Sequence, residues 1–327
     1  MKLKKQLLLF IMSAICIGVY ADNYSVSKKE QQQILIEADN WIDDMPDGID
    51  DRLSDAVNHA LHGFYSEIER FRNLADTTGI DKYKVKVENF TGGKLGELSM
   101  RLYSPLSDSS TPILIYFHGG GWSLGSLETS DKFCRALASA GNVKIVSVDY
   151  PLAPENPYPN GLKVCIEAVD YILSKSDDWK FNPDLVSLGG DGAGGNLALE
   201  TYANIKEDKK IKSLVLYYPL INTSGTLDVA SKREYGRGYG FDSRLWEIFV
   251  QAYKGKSILD SITSLPPTLM ITAGRDIIIE EERLFSKAYP NLTYVLLEGA
   301  VHGFITDGHQ PTAFNKAVEI TNAFLSQ

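Results

Sequence analysis

The sequence predicts an α/β fold: a mostly parallel central sheet with helices on both faces and a helical cap. Three observations carry this. From Pro112 onward, short apolar runs alternate with longer stretches of helical periodicity, the pattern of a parallel sheet covered on both sides. One run, 185–188, passes through Gly189-Gly190-Asp191-Gly192-Ala193-Gly194-Gly195 directly into a helical segment. Another, 113–117, ends in His118-Gly119-Gly120-Gly121-Trp122.

In chain order, residues 1–21 read as a secretory signal. Lys2, Lys4 and Lys5 precede an apolar run over 7–19, and Val19-Tyr20-Ala21 offers a small-residue cleavage site. The competing reading is an uncleaved anchor, but the run is shorter than the ~20 residues that span a bilayer comfortably. The expected location is therefore exported, with no stable membrane span once the signal is gone. Segments 28–42 and 52–74 follow as helices. In the second, Leu53, Val57, Leu61, Phe64, Ile68 and Phe71 recur at helical steps. Core packing and a cap over a pocket explain these helices equally well, and the expected organisation places residues 22–78 in the cap.

Segments 83–90 and 98–103 alternate as half-buried antiparallel strands. The sheet domain, 79–327, then runs through strand–helix pairs at 113–117 and 129–140, 143–148 and 161–174, and 185–188 and 194–205. Further apolar runs lie at 211–218, 268–272 and 294–297, and a last helix at 311–325. The rhythm breaks at about 222–262, where a Gly/Tyr-rich stretch (235–240) precedes a helix at 242–253. Insertions of this length between core elements serve as lids or binding loops.

With 327 residues, 44% of them hydrophobic, the chain buries a large single core. The net charge is −9 and falls to about −12 without the three signal lysines. No basic patch is visible, which argues against a nucleic-acid partner. Cys134 and Cys165 sit in apolar helical patterns and read as buried thiols. No Cys/His spacing resembles a metal site. His59, His62 and His309 read as surface or packing residues.

The glycine loop after 113–117 suggests chemistry. Ester hydrolysis passes through a tetrahedral oxyanion, and backbone N–H groups stabilise it only where the chain approaches closely. Removing one such donor typically costs ~2.7–4 kcal/mol of transition-state stabilisation. Asp276 follows the run 268–275, and an acid at a strand end is placed to orient a histidine. His302 comes later, after the strand 294–297 and before Gly303-Phe304. The order of glycine turn, acid and histidine is that of α/β-hydrolases.

Together these motifs resemble the hormone-sensitive-lipase group of α/β-hydrolases, the bacterial family IV esterases. The resemblance rests on His118 to Trp122, Asp149-Tyr150-Pro151-Leu152-Ala153-Pro154-Glu155, Gly190 to Ala198, Leu265-Pro266-Pro267-Thr268 and His302-Gly303-Phe304. It covers roughly residue 80 to the end. It implies an α/β-hydrolase fold and carboxylester hydrolysis without metal or organic cofactor. Oxyanion donors are expected among Gly119, Gly120, Gly121 and Ala193, and Asp276 and His302 are expected as triad acid and base. Trp122, Tyr218, Phe241 and Leu245 are candidate pocket residues.

Two departures stand out. Pro151 replaces a frequent arginine, a minor change. Gly192 occupies the centre of the G-x-S-x-G elbow, where the nucleophilic serine belongs. Glycine forms no acyl-enzyme. Three explanations follow: a substitution in a working esterase, a natural relative that binds an ester or small acid without turnover, or another nucleophile. Ser187 lies on a strand, and nothing in sequence activates Ser123 or Ser126.

Overall fold

The structure is a computed structural model. It describes residues 24–327 except 47, 73, 94–96, 108–110, 206–210, 224–228, 256–261 and 307. The signal segment expected at 1–21, with Cys16, lies outside the described residues.

Helices α1 (Lys28–Asp44), α2 (Ile49–Leu61) and α3 (Ile68–Arg72) precede the sheet. The single helix expected over 52–74 is thus broken. Gly63 adopts φ +87°, and its N–H bonds back to Ala60 O while that of Phe64 bonds to His59 O, each at 3.0 Å. A left-handed residue at a helix end stops the helix and satisfies its last carbonyls.

Strands β1 (Val85–Gly92), β2 (Leu98–Pro105), β3 (Thr111–Phe117), β4 (Lys144–Asp149), β5 (Phe181–Asp191), β6 (Ser213–Tyr217), β7 (Thr268–Arg275) and β8 (Leu292–Val301) form one sheet, ordered β1-β2-β4-β3-β5-β6-β7-β8. Strand β2 runs antiparallel to both neighbours, and β4 through β8 pair in parallel. Helices α4 (Leu127–Ala140), α5 (Asn160–Leu173), α6 (Ala193–Asn204), α7 (Ala230–Tyr235), α8 (Ser243–Tyr253), α9 (Ile279–Ala288) and α10 (Pro311–Leu325) complete the described elements.

Side chains alternate across a strand, so one run feeds two cores. Ile113, Ile115 and Phe117 of β3 join the core that includes Cys165 of α5 and Leu197 of α6. Leu114 and Tyr116 join Phe133 of α4 and Phe314 of α10 on the other face. Cys134 and Cys165 are buried free thiols, as their apolar context indicated.

Helix α1 closes the β8 edge. The Gln31 side chain donates to Leu296 O (3.0 Å) and accepts from the Glu298 N–H (2.8 Å), so one amide stands in for a strand partner. Helix α2 instead packs against α8 of the insertion, with Arg244 bonded to Asp51 (2.8 Å) and Asp55 (2.5 Å). From α8, Phe249 reaches Gly121 just after β3, and from the loop before it Phe241 reaches His302 just after β8.

Candidate active site

Strand β5 enters α6 through Gly192, whose φ of 52° and ψ of −114° few side-chain-bearing residues adopt. A β-carbon at Gly194 would collide with Phe117 O, and one at Gly190 would lie 2.5 Å from the Gly194 carbonyl carbon. Both flanking glycines are therefore required by close packing of the turn against β3. Gly192 differs. A β-carbon there would meet His302 Nε2 at 3.4 Å and Cε1 at 3.9 Å, and no other atom within 4 Å. Position 192 thus has room for a side chain, directed at the histidine.

His302 follows β8 directly. The strand end is held by buried Gln310, which accepts from the Val301 N–H (3.0 Å) and donates to Ile34 O (3.2 Å). His302 Nδ1 lies 2.6 Å from Asp276 Oδ2. Asp276, buried after β7, also accepts from the Ile278 N–H at 3.2 Å. With Nδ1–H donating to the carboxylate, Nε2 is the nitrogen that faces Gly192. The imidazole lies between the rings of Phe241 (4.2 Å) and Tyr218 (4.6 Å).

The loop 118–122 is fixed from beneath. His118 is fully buried, its Nδ1 2.8 Å from Gly119 O and its ring stacked on Tyr150 at 4.3 Å. Burial pushes its imidazole down to about 4, so it is neutral at pH 7 and donates this bond. The Tyr150 hydroxyl bonds His118 O at 2.6 Å. Asp191, adjacent to the elbow position, accepts from the Gly119 N–H (2.9 Å) and the Tyr116 hydroxyl (2.6 Å). Burial raises its carboxyl, partly offset by the Tyr116 bond.

This corrects one expectation: the Gly119 N–H is occupied by Asp191 and is not free for an oxyanion. The N–H groups of Gly120, Gly121 and Ala193 have no acceptor among the described residues, although Gly121 and Ala193 are buried. Buried amides of this kind are costly unless something accepts from them.

Trp122 (φ 60°) and Tyr218 (φ 34°) both hold left-handed backbone, the sort of strain that concentrates at functional sites. Trp122 stacks on Tyr253 at 4.2 Å and 3°. Leu245 lies on the buried face of α8 with Trp246 and Phe249. Phe249, not anticipated from sequence, covers Gly121: a β-carbon on that glycine would run into its ring. Ser187 Oγ is spent on Ser213 Oγ at 2.7 Å.

Arg72 was also missed, since nothing local distinguishes it from Arg70. It donates to Ser123 O (3.0 Å) and Ala153 O (3.1 Å) and forks onto Glu155 with two 2.7 Å bonds. It thereby ties α3 to the glycine loop and to the segment 149–155.

A groove of about 790 Å³ opens elsewhere, between residues 24–35 and β8, and carries none of these groups. Among the described residues no cluster of His, Cys, Asp or Glu is arranged to hold a metal, and no helix is long and apolar enough to cross a membrane.

A family model described as the α/β-hydrolase fold matches residues 114–306. An arylesterase of Saccharolobus solfataricus is 29% identical over 242 residues, covering 68% of this chain and 76% of that protein. A carboxylic ester hydrolase of Mycobacterium tuberculosis is 29% identical over 264 residues, covering 72% and 69%. Among solved structures, an esterase of Pyrobaculum calidifontis superposes with a TM-score of 0.71 at 27% identity, covering 92% of this chain and 98% of that one.

Proposed function

The chain belongs to the α/β-hydrolase fold family, and from that premise we propose that it is a carboxylic ester hydrolase scaffold for short- to medium-chain acyl esters, slowed by the absence of a nucleophile at position 192. One observation carries the reading. The β-carbon direction of Gly192 points at His302 Nε2, whose other nitrogen is held by Asp276.

The chemistry follows from those groups. An ester carbonyl oxygen accepts from the N–H groups of Gly120, Gly121 and Ala193. A water molecule beside Gly192 gives its proton to His302 Nε2 as its oxygen attacks the carbonyl carbon. Asp276 stabilises the imidazolium. The tetrahedral intermediate expels the alkoxide, which takes the proton from Nε2, and acid and alcohol leave. No acyl-enzyme forms. Loss of a triad member leaves ~10³–10⁴-fold catalysis over water from the oxyanion hole and binding.

The same missing side chain favours a second reading, a binding protein that holds an ester or small acid without turnover. Prolonged incubation separates the two: a bound ester recovered intact supports binding alone.

A serine-directed phosphonate probe tests the proposal. It should add one covalent group to the Gly192→Ser variant, mapped to residue 192, and none to the chain as written. A label elsewhere in the chain as written identifies another nucleophile and overturns the reading.

A further inference from the structure

Two turns along α6 from the elbow lies a carboxyl group that this chemistry does not use. Glu200 is 3% exposed, and neither oxygen has a hydrogen-bond partner among the described residues. No neighbouring charge offsets its desolvation, and burial alone pushes the carboxyl up to about 7. The Tyr253 hydroxyl, equally buried, also has no partner. After burial, Glu200 is the strongest influence raising the Tyr253 phenol, and it raises half-buried Tyr158 as well. The Tyr158 and Tyr253 rings are 5.6 Å apart. One turn back on the same helix face, Asn196 is fully buried with both amide atoms unpartnered.

An unmet buried polar group is destabilising, and a buried carboxyl more so. Such groups call for a specific explanation wherever they occur, and these share a location. Tyr253 stacks on Trp122, which directly follows the oxyanion glycines. Glu200 is seven residues beyond Ala193, about 10 Å along the helix axis at 1.5 Å per residue. That is the reach of a medium-length substrate tail whose carbonyl sits at the Ala193 N–H.

We propose that Glu200 and Tyr253 form the far end of the substrate pocket and select a tail that ends in a hydrogen-bond donor, a hydroxyl or an ammonium group. The inference rests on residues 192, 276 and 302 marking the reacting end. An alkyl terminus at this point would seal the carboxyl away without a partner. A donor terminus bonds Glu200 and accepts or donates at Tyr253 Oη.

Calorimetry with the chain as written tests this, using octanoate, ω-hydroxyoctanoate and ω-aminooctanoate. At least one donor-tailed acid should bind about tenfold more tightly than octanoate, a difference of ~1.4 kcal/mol. Glu200→Leu should reverse the order. Glu200→Gln, which keeps the volume, should retain a hydroxyl preference and lose any ammonium preference. Octanoate binding most tightly to the unaltered chain, or a preference unmoved in both variants, overturns the proposal. If none of the acids binds while Gly192→Ser hydrolyses octanoyl esters, this subsite fails and the active-site reading stands. If none binds and Gly192→Ser is inert, both fail.

Discussion

The backbone N–H of Gly119 donates to Asp191 Oδ1 at 2.9 Å, across 72 residues of sequence. This bond locks the glycine loop to the elbow, so the loop's amides and position 192 hold a fixed relation. Gly119→Ala would drive a β-carbon into Asp191 Oδ2. Overpacking of this kind costs ~1–3 kcal/mol. The expected result is a lowered urea midpoint, together with loss of esterase activity when the change is made in a Gly192→Ser background.

Arg72 should be a stability link between α3 and the glycine loop. Its charge is mostly buried and its Glu155 partner is less so. Hydrogen bonds to charged groups contribute ~1.5–3 kcal/mol. Arg72→Ala removes the fork on Glu155 and the donors to Ser123 O and Ala153 O, so a loss of roughly 2–4 kcal/mol is expected. Equilibrium denaturation measures it. Arg72→Lys should recover only part of the loss, because an ammonium does not reproduce the fork.

The triad geometry predicts the effect of Asp276→Asn. In a Gly192→Ser background it should lower kcat by ~10⁴-fold, because the amide favours the wrong imidazole tautomer. The folded state should persist by circular dichroism. A small effect would show that Asp276 does not orient His302.

Stability should fall as pH rises through neutrality. Burial raises the carboxyls of Glu200 and Glu281 to about 7 and of Asp50 to about 6. A raised acid keeps its proton in the folded chain after the unfolded chain has lost it. Its stabilising contribution is complete below about pH 4.5 and disappears as pH passes its folded value. Glu30, Asp76 and Glu155 are lowered and act oppositely, losing their contribution in acid. From these carboxyls, thermal melting should therefore be highest near about pH 4.5 and decline from there through neutrality. Glu200→Gln should flatten the decline between pH 5 and 8.

Much of the sheet was legible because β3, β4 and β6 are mostly apolar, rich in branched and aromatic residues, and almost wholly buried. Strand β5 was read short: it begins at Phe181, but Asn182, Pro183 and Asp184 interrupt the apolar signal, and Phe181 is held in the sheet by pairing with Thr111. The local motifs pointed to Gly192, Asp276 and His302, which the fold brings together. What escaped was non-local. Asp191 lies inside the elbow motif, yet only the fold shows that it takes the Gly119 amide. Arg72 reaches Glu155 across 83 residues, and Phe249 covers Gly121 from an insertion whose approach no spacing encodes.

Gly192→Ser should itself be less stable than the chain as written, because serine must occupy φ near 52°. Strain of this kind costs ~1–3 kcal/mol, so a lower melting temperature should accompany any gain in activity.

The most direct measurement pairs the chain as written with Gly192→Ser on chromogenic acetyl, butyryl and octanoyl esters. A serine placed against His302 Nε2 should raise kcat by at least ~10⁴-fold, leaving the glycine form with only the ~10³–10⁴-fold over water that the oxyanion hole and binding supply. Turnover by the glycine form at ordinary enzyme rates, ~1–10³ s⁻¹, or no gain in the serine form, would contradict the account.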